Sequence, residues 1–412
     1  MRKKQYLNLE HLPVKEYDVK DFKKITDYAT NVEVGEQIKT PHMTGQYVSN
    51  LSALMVKTFF VGDRYFAYLK NKNIYERTSA FRFYIAQSNV TDPLMVEVIL
   101  NGKKEVLIIE SSKAFIMDKN TTFKFPHGTS AGKYDGRIFV SKLKNIYYSN
   151  KFNFDTVSTD IVNEGFLSVE SEDEMIFELV SFTDCLYAVC EKGIYKLTIN
   201  DGEFNFKRCE VEPITIMNGS IKKIGKDIYF ISDNRLCVFD GNTVKVISGE
   251  FDRYLPYVKE NASTANGFYM IKTVMNGEEV FFLYDTFTGK HHYVWIEERG
   301  SLGENGSMFC SEYYGFYDIC YNTGTKIFRW CSKELDFSCP HKKSLLELSL
   351  CVDQPMSIYV KGDFGTKKLE LEKGLNVKKL NLTSSTFKFT TMVVSETILI
   401  KDMKFKYRIL GE

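Results

Sequence analysis

With 54 lysines and arginines against 53 aspartates and glutamates over 412 residues, the chain has no global basic field to draw nucleic acid or an anionic membrane. A hydrophobic content of 44% and a charged content of 26% exclude a disordered chain and allow a sizeable core. No apolar run reaches the roughly 18 residues of a membrane-spanning helix, and the basic start MRKKQYLNLEHLPVKEYDVK lacks the apolar stretch of a secretory signal.

Residues 1–55 read as an irregular arm, with room for one short helical turn in VKDFKKITDYATNVEVGEQ. From Val56 onward strand follows strand. The aromatic content of 14%, with only 8 prolines, suits pleated, half-buried surfaces. One layout recurs: two apolar anchors eight residues apart, split by a polar turn. It appears at Phe66 and Ile74, Leu107 and Phe115, Ile138 and Ile146, Leu186 and Ile194, Ile228 and Leu236, and Ile319 and Ile327, with a longer form at Phe268 and Val280. The first anchors are spaced by about 42 residues on average. A lone hairpin cannot bury its faces in water, but sheets of about four strands set radially can, at periods of roughly 40–50 residues. The spacing therefore predicts an all-β chain with a β-propeller of five to seven blades over residues 56–335. The alternative is an irregular all-β protein whose hairpins merely coincide with a period. The strongest helix pattern, over 247–262, is short and contains Pro256.

The texture changes after CSKELDFSC. Six short, charged strands over 336–412 predict a separate C-terminal β-sandwich. In MKFKYRI the alternation puts Met403, Phe405, Tyr407 and Ile409 on one face and Lys404, Lys406 and Arg408 on the other. Those three basic residues are either an interface or a plain solvated strand face.

Chemistry-bearing motifs are few. HGTSAG, His127 to Gly132, contains G-x-S-x-G, which would raise Ser130 as a nucleophile on a strand–turn–helix elbow. The following KYDGRIFVS reads as a strand, so a Gly/Ser connector between blades is expected instead. The same stretch misses a phosphate loop, because His127 stands where the first glycine must be. His291 and His292 are neighbours on a strand and lack a third metal ligand. The run Glu170–Glu174 lacks the spaced pattern of a calcium loop and reads as a solvated turn. GSLGENGS, Gly300 to Ser307, does not sit between a strand and a helix and reads as a loop between blades. YYGFYDICY, Tyr313 to Tyr321, offers aromatics for stacking sugars or bases, but also for packing a blade. Nine cysteines without a CxxC pair read as buried, reduced thiols. No catalytic, cofactor-binding or metal site is expected, and the sequence does not argue for an enzyme.

Two segments carry a resemblance. YDGRIFVSKLKNIYYSNKFNFDTV is followed by GFLSVESEDEMIFELVSFTDCLYAVCEKGIYKL, with Leu179, Phe182, Leu186, Tyr187, Gly193, Ile194 and Tyr195 at the patterned positions. FRWCSKELDF then brings Trp330, Ser332 and Lys333. Together, over about 134–340, these segments resemble the tail nozzle and head–tail stabilisation propeller proteins of bacteriophages. The chain is shorter than many of them and lacks an obvious inserted platform domain. The resemblance implies a structural virion protein, made in the bacterial host cytoplasm and placed in the tail. It would form a homo-oligomeric ring, contact other tail or connector proteins and pass genome DNA, without cofactor, catalysis or membrane anchor. The rival is a carbohydrate- or receptor-binding propeller of a tail tip. A third reading is a hydrolase using Ser130.

Overall fold

The structure is a computed structural model. It describes residues 14–410 apart from short interruptions, the longest being 152–160 and 248–254, and does not describe the side chains of 31–50 and 294–327. Among the described residues the chain is built almost wholly of antiparallel strands. The 247–262 stretch contributes one tight helical turn at 255–257 among its described residues, where Pro256 stands.

Among the described residues seven four-stranded units follow one another, the first six as consecutive meanders. The first runs from Met55–Val61 through Arg64–Leu69 and Ile74–Arg77 to Phe83–Gln87. The second begins at Leu94–Leu100, the third at Ser130–Tyr134, the fourth at Ile176–Ser181, the fifth at Lys222–Ile224, the sixth at Ser263–Ala265 and the seventh at Gly300–Leu302. In six of them the first anchor lies on the second strand and its mate on the third, as the spacing predicts. Tight turns make the meanders. Asp135 and Gly136, with φ of 48° and 69°, join the first two strands of the third blade, the left-handed pair that a two-residue hairpin requires.

Burial shows why a meander alone would fail. Every residue of the second strand of the fourth blade, Leu186–Cys190, is buried, so both faces of the sheet are covered. The covers are the neighbouring blades. Phe66 and Tyr68 of the first blade pack with Ile108 and Phe115 of the second. Leu107 and Ile109 on the second blade's other face pack with Ile138 and Val140 of the third. Phe139 then meets Leu186 and Ala188, Tyr187 meets Phe230 and Phe239, and Tyr229 meets Tyr269 and Phe282. Each such large side chain contributes about 1.5–3 kcal/mol on leaving water.

The seventh blade corrects one expectation. Ile319 and Ile327 do not form a hairpin. Gly315–Tyr321 is the third strand of the blade, and its outer neighbour is Met43–Asn50 from the N-terminal region. Lys326–Ser332 instead pairs with Thr26–Thr30 and Lys388–Ser395 in the sandwich. The seventh blade is therefore completed by a strand from the far end of the chain, which covers the edge of Gly315–Tyr321.

The described residues between 15 and 50 are thus mostly in strands rather than in an irregular arm. Lys15–Asp18 pairs with Leu399–Ile409, and Thr26–Thr30 pairs with Lys326–Ser332, so both sandwich sheets take strands from this region. Val32–Val34 and Ile38–Lys39 form a bridge. Tyr293 of the sixth blade pairs with Val32, Glu33 pairs with Lys39, and Ile38 pairs with Ile400 of the sandwich. A ten-stranded sheet runs without a break from the sixth blade into the sandwich. The sandwich core holds Trp330, Leu345, Ile358 and Phe405 together with Val19 and Ala29. The Trp330 Nε1 donates to Thr26 Oγ1 at 2.9 Å, across 304 residues of sequence.

Candidate functional site

The alternation in MKFKYRI is as expected: Met403, Phe405 and Tyr407 are buried and Ile409 is half-buried. On the opposite face the lysines are engaged within the chain. Lys406 Nζ lies 3.0 Å from Glu347 Oε1 and 4.0 Å from Glu16 Oε1, and Lys404 Nζ lies 3.8 Å from Asp18 Oδ2. The bond to Glu347 holds the Lys406 ammonium above its ordinary range. Arg408 stands on the same strand with its Nε buried. The acids come largely from Lys15–Asp18, a strand whose partner lies nearly 400 residues away, which is why the sequence left this face looking basic.

Ser130 is not an exposed nucleophile. It opens the inner strand of the third blade, and its Oγ accepts the backbone N–H of Leu179 in the fourth blade at 3.0 Å. The two motif glycines serve packing. A Cβ on Gly128 would sit 1.8 Å from the backbone oxygen of Ser141, and one on Gly132 would sit 2.8 Å from Ser181 Oγ of the next blade. His127 Nε2 bonds the Asp92 carbonyl oxygen at 2.8 Å. HGTSAG is therefore a seam between three blades.

The other motifs are placed as follows. Glu174 is buried, not solvated, and its Oε2 accepts the Tyr195 hydroxyl at 3.0 Å. Burial first, and that bond second, push Tyr195 up to about 12. His291 is buried on the outer strand of the sixth blade, its ring centroid 5.9 Å from that of Phe282. Gly300–Leu302, within the supposed loop, and Ser307–Cys310, which starts at its last residue, are two strands of the seventh blade, and residues 303–306 lie outside the described ones. Gly315–Tyr321 is the third strand there, while Tyr313 and Tyr314 lie outside the described residues. Seven described cysteines are free thiols. Burial raises Cys185, Cys190 and Cys209 above the ordinary thiol range, which keeps them protonated. Among the described residues no cluster of His, Cys, Asp and Glu could hold a metal ion.

One cavity of about 260 Å³ opens where the first turns of the second, third and fourth blades meet. Val98, Ile99, Ile138 and Phe182 give it an apolar wall. Its charges are matched internally. Lys133 Nζ donates to Glu97 Oε1 at 2.5 Å, and Asp135 pairs with Lys151 at 2.9 Å. Burial works to raise the Glu97 carboxyl, but Lys133 and Lys104 outweigh it and hold it below the usual range. Arg137 is clamped by Glu164 and the Ser149 carbonyl, with the rings of Tyr148 and Phe204 at 5.9 and 5.6 Å. The cavity can accept a small apolar or aromatic group.

One signal in the sequence was open to reading and was missed. The last turn of the fifth blade is FDGNT and that of the sixth is YDTFT, 45 residues apart. Asp240 accepts the backbone N–H groups of Asn242 and Thr243, and Asp285 accepts those of Phe287 and Thr288. The bond from Lys245, with these backbone bonds, holds the Asp240 carboxyl well below its ordinary range. A D-x-x-T turn at one blade's spacing is itself a mark of the repeat.

Among the described residues the strands form a β-propeller of seven successive blades joined to a β-sandwich. No family model matches the chain, and no curated protein matches it. Solved structures do. The β-propeller domain of Cps50 (Swd1) from Myceliophteria thermophila is 10% identical, over 68% of this chain and all of that one, with a TM-score of 0.46. The Pan2 WD40 domain of Neurospora crassa is 9% identical, over 69% and 98%, at 0.47. A streptogramin B lyase is 12% identical, over 68% and 98%, at 0.46. At these scores the likenesses carry no argument, and the propeller reading rests on the sheets and on the packing of successive blades.

Proposed function

We propose that the chain is a non-enzymatic structural protein of a bacteriophage tail, a subunit of a tail nozzle or head–tail connector ring. The observation that supports a mechanical role is the unbroken ten-stranded sheet from the sixth blade to the sandwich. Two residue pairs at each of the three steps of the junction tie the sixth blade to the sandwich, the kind of link a mechanical ring subunit needs. The phage assignment rests on the IYYS, GIY and W-x-S-K segments. Their residues act as scaffold here: Ile194 and Tyr195 lie in the blade cores, and Trp330 lies in the sandwich. A ring would need a heterologous contact that closes.

The test is mass spectrometry of purified virions, followed by negative-stain imaging of the protein with its co-expressed genomic neighbours. The expected result is a virion-associated protein that forms rings. Absence from virions, with a strict monomer under all these conditions, would refute the proposal. The apolar-walled cavity favours one second reading, a receptor- or glycan-binding tail tip. Selective binding on a glycan array, lost on Phe182→Asp, would establish that reading instead.

A further inference from the structure

A strand at the end of a sheet carries a row of unpaired N–H and C=O groups that another chain can take up. The outer strands of the first five blades limit that row by being short. Phe83–Gln87 has five residues, Thr122–Phe123 two, Asn163–Ser168 six, Glu203–Arg208 six and Val244–Val246 three. The sandwich cannot rely on length. Among the described residues its two sheets end in Gly365–Leu371 and in Gly374–Ser384, and the second of these has eleven residues. Leu375 and Val377 on that strand are 73% and 55% exposed, the apolar grip an added strand would use.

Side chains close this edge instead. Lys367 pairs across its strand with Val360, in the row that continues with Leu369 and Leu371. Those three partners and row-mates are buried in the sandwich core, so alternation sets Lys367 on the core side of its sheet, at an exposed end of the row. Its ammonium crosses to the other sheet and donates to the carbonyls of Lys379 and Leu380 at 3.2 and 2.8 Å. Those carbonyls stand at a bulge. Leu345 pairs with Leu382 and Glu347 with Lys379, so Leu380 and Asn381 together oppose Leu346, and Asn381 has φ of 51°. Asn376 closes one end of the strand, its amide donating to the carbonyls of Glu372 and Gly374 at 2.6 and 3.0 Å. At the other end the Asp363 N–H donates to Ser384 Oγ at 2.8 Å. An inward-set lysine and a bulge are two of the devices that blunt a sheet edge.

We propose that Lys367 is a guard, which keeps Gly374–Ser384 from pairing edge to edge with the same strand of a second copy. Without it, two such strands run antiparallel would join the sandwich sheets of both copies. Lys378 and Lys379 add like-charge repulsion between copies, and the nearby Glu347 and Glu370 are already paired with Lys406 and Lys368. Salt screens that repulsion, whereas the hold of Lys367 on the two carbonyls is a direct contact. The inference goes beyond the proposed tail role and concerns the subunit by itself.

Sedimentation velocity of the full chain over a concentration series, at high salt, tests it. Lys367→Leu should associate with rising concentration beyond whatever the wild type shows, and Lys367→Arg should sediment as wild type. Lys367→Ser removes the ammonium without adding apolar surface. It should associate as well, which keeps the test sound where leucine disturbs the fold. Amide hydrogen exchange across residues 374–384 should slow by about tenfold or more in the associated variant. If Lys367→Leu and Lys367→Ser both sediment as wild type, the proposal is overturned. Protection confined to another surface overturns it too. So does a lowered urea midpoint without association, which would mean that Lys367 only ties the two sheets together. Absence of the protein from virions would overturn the tail role and leave the guard standing.

Discussion

Gly128→Ala should destabilise the third blade far more than Ser130→Ala, the reverse of what a catalytic motif would show. The added Cβ would lie 1.8 Å from the Ser141 oxygen and 2.7 Å from its carbon, both backbone atoms that no rotamer change can move. The inner strand must shift outward by more than 1 Å to reach contact distance, which is overpacking at about 1–3 kcal/mol. The shift also pulls on bonds at the same point. Thr129 N–H donates to Ser141 O at 2.8 Å, and Ser130 N–H donates to Ser141 Oγ at 3.2 Å. Losing both adds about 1 kcal/mol each. The total is about 3–5 kcal/mol, a large part of the 5–15 kcal/mol that ordinarily holds a fold together. Ser130→Ala leaves only the Leu179 N–H without its acceptor, about 1–3 kcal/mol. Urea unfolding followed by far-ultraviolet circular dichroism measures both. Gly202→Ala is the control, since nothing lies within 4 Å of its Cβ and only its φ of 85° strains the alanine. A Gly128→Ala midpoint equal to wild type would refute the packing role. Labelling of the wild type by a fluorophosphonate, lost in Ser130→Ala, would restore the hydrolase reading.

Lys343 is fully buried, and its ammonium donates to the carbonyls of Cys339, His341 and Ser385 at 2.6, 2.6 and 2.7 Å. Lys343→Met should cost about 2–4 kcal/mol by urea unfolding, since it strands three acceptors. Burial lowers the lysine below its ordinary range, so the folded state gives up this proton first. The penalty is full below the folded pKa and fades as pH rises towards the unfolded value of about 10.4. The stability difference between wild type and Lys343→Met should therefore shift in favour of wild type across that window. Thr26→Ala removes the acceptor of the Trp330 indole. In a Trp295→Phe background, where Trp330 is the sole indole, it should cost about 1 kcal/mol by fluorescence-monitored unfolding. Lys404→Ala and Lys406→Ala, on exposed ion pairs, should leave the unfolding midpoint unchanged.

The repeat was legible because its cause is local. Phe66, Leu107, Ile138, Leu186, Ile228 and Phe268 must each enter a strand covered on both faces, and a polar turn must return the chain eight to twelve residues later. The six strands after residue 336 were legible for the same reason, as in Met403, Phe405 and Tyr407. What was hidden depends on partners distant in sequence. Nothing in MTGQYVSN announces a strand, because its order comes from Gly315–Tyr321 rather than from its own alternation. The Ile319 and Ile327 anchors misled for the converse reason. They have the hairpin spacing, but N-terminal strands pair with each of their strands, in two different sheets. Glu174 read as solvated because Tyr195, which engages it, stands 21 residues on.

Closure by the N-terminal region has a consequence for folding. Met43–Asn50 completes the seventh blade, and Lys15–Asp18 and Thr26–Thr30 complete the two sandwich sheets. None of these can pair until residues some 270–390 positions away are in place, and such non-local contacts are slow to form. A chain beginning at residue 51 would expose the edge of Gly315–Tyr321 and leave Trp330 without Thr26. It should aggregate, because an open edge recruits other chains. A synthetic peptide of residues 14–50 added during refolding should restore a soluble, cooperative fold with a buried indole spectrum. If the shortened chain were instead soluble, with the wild-type midpoint and Trp330 emission, the N-terminal strands would be ornaments on a propeller and sandwich that close without them.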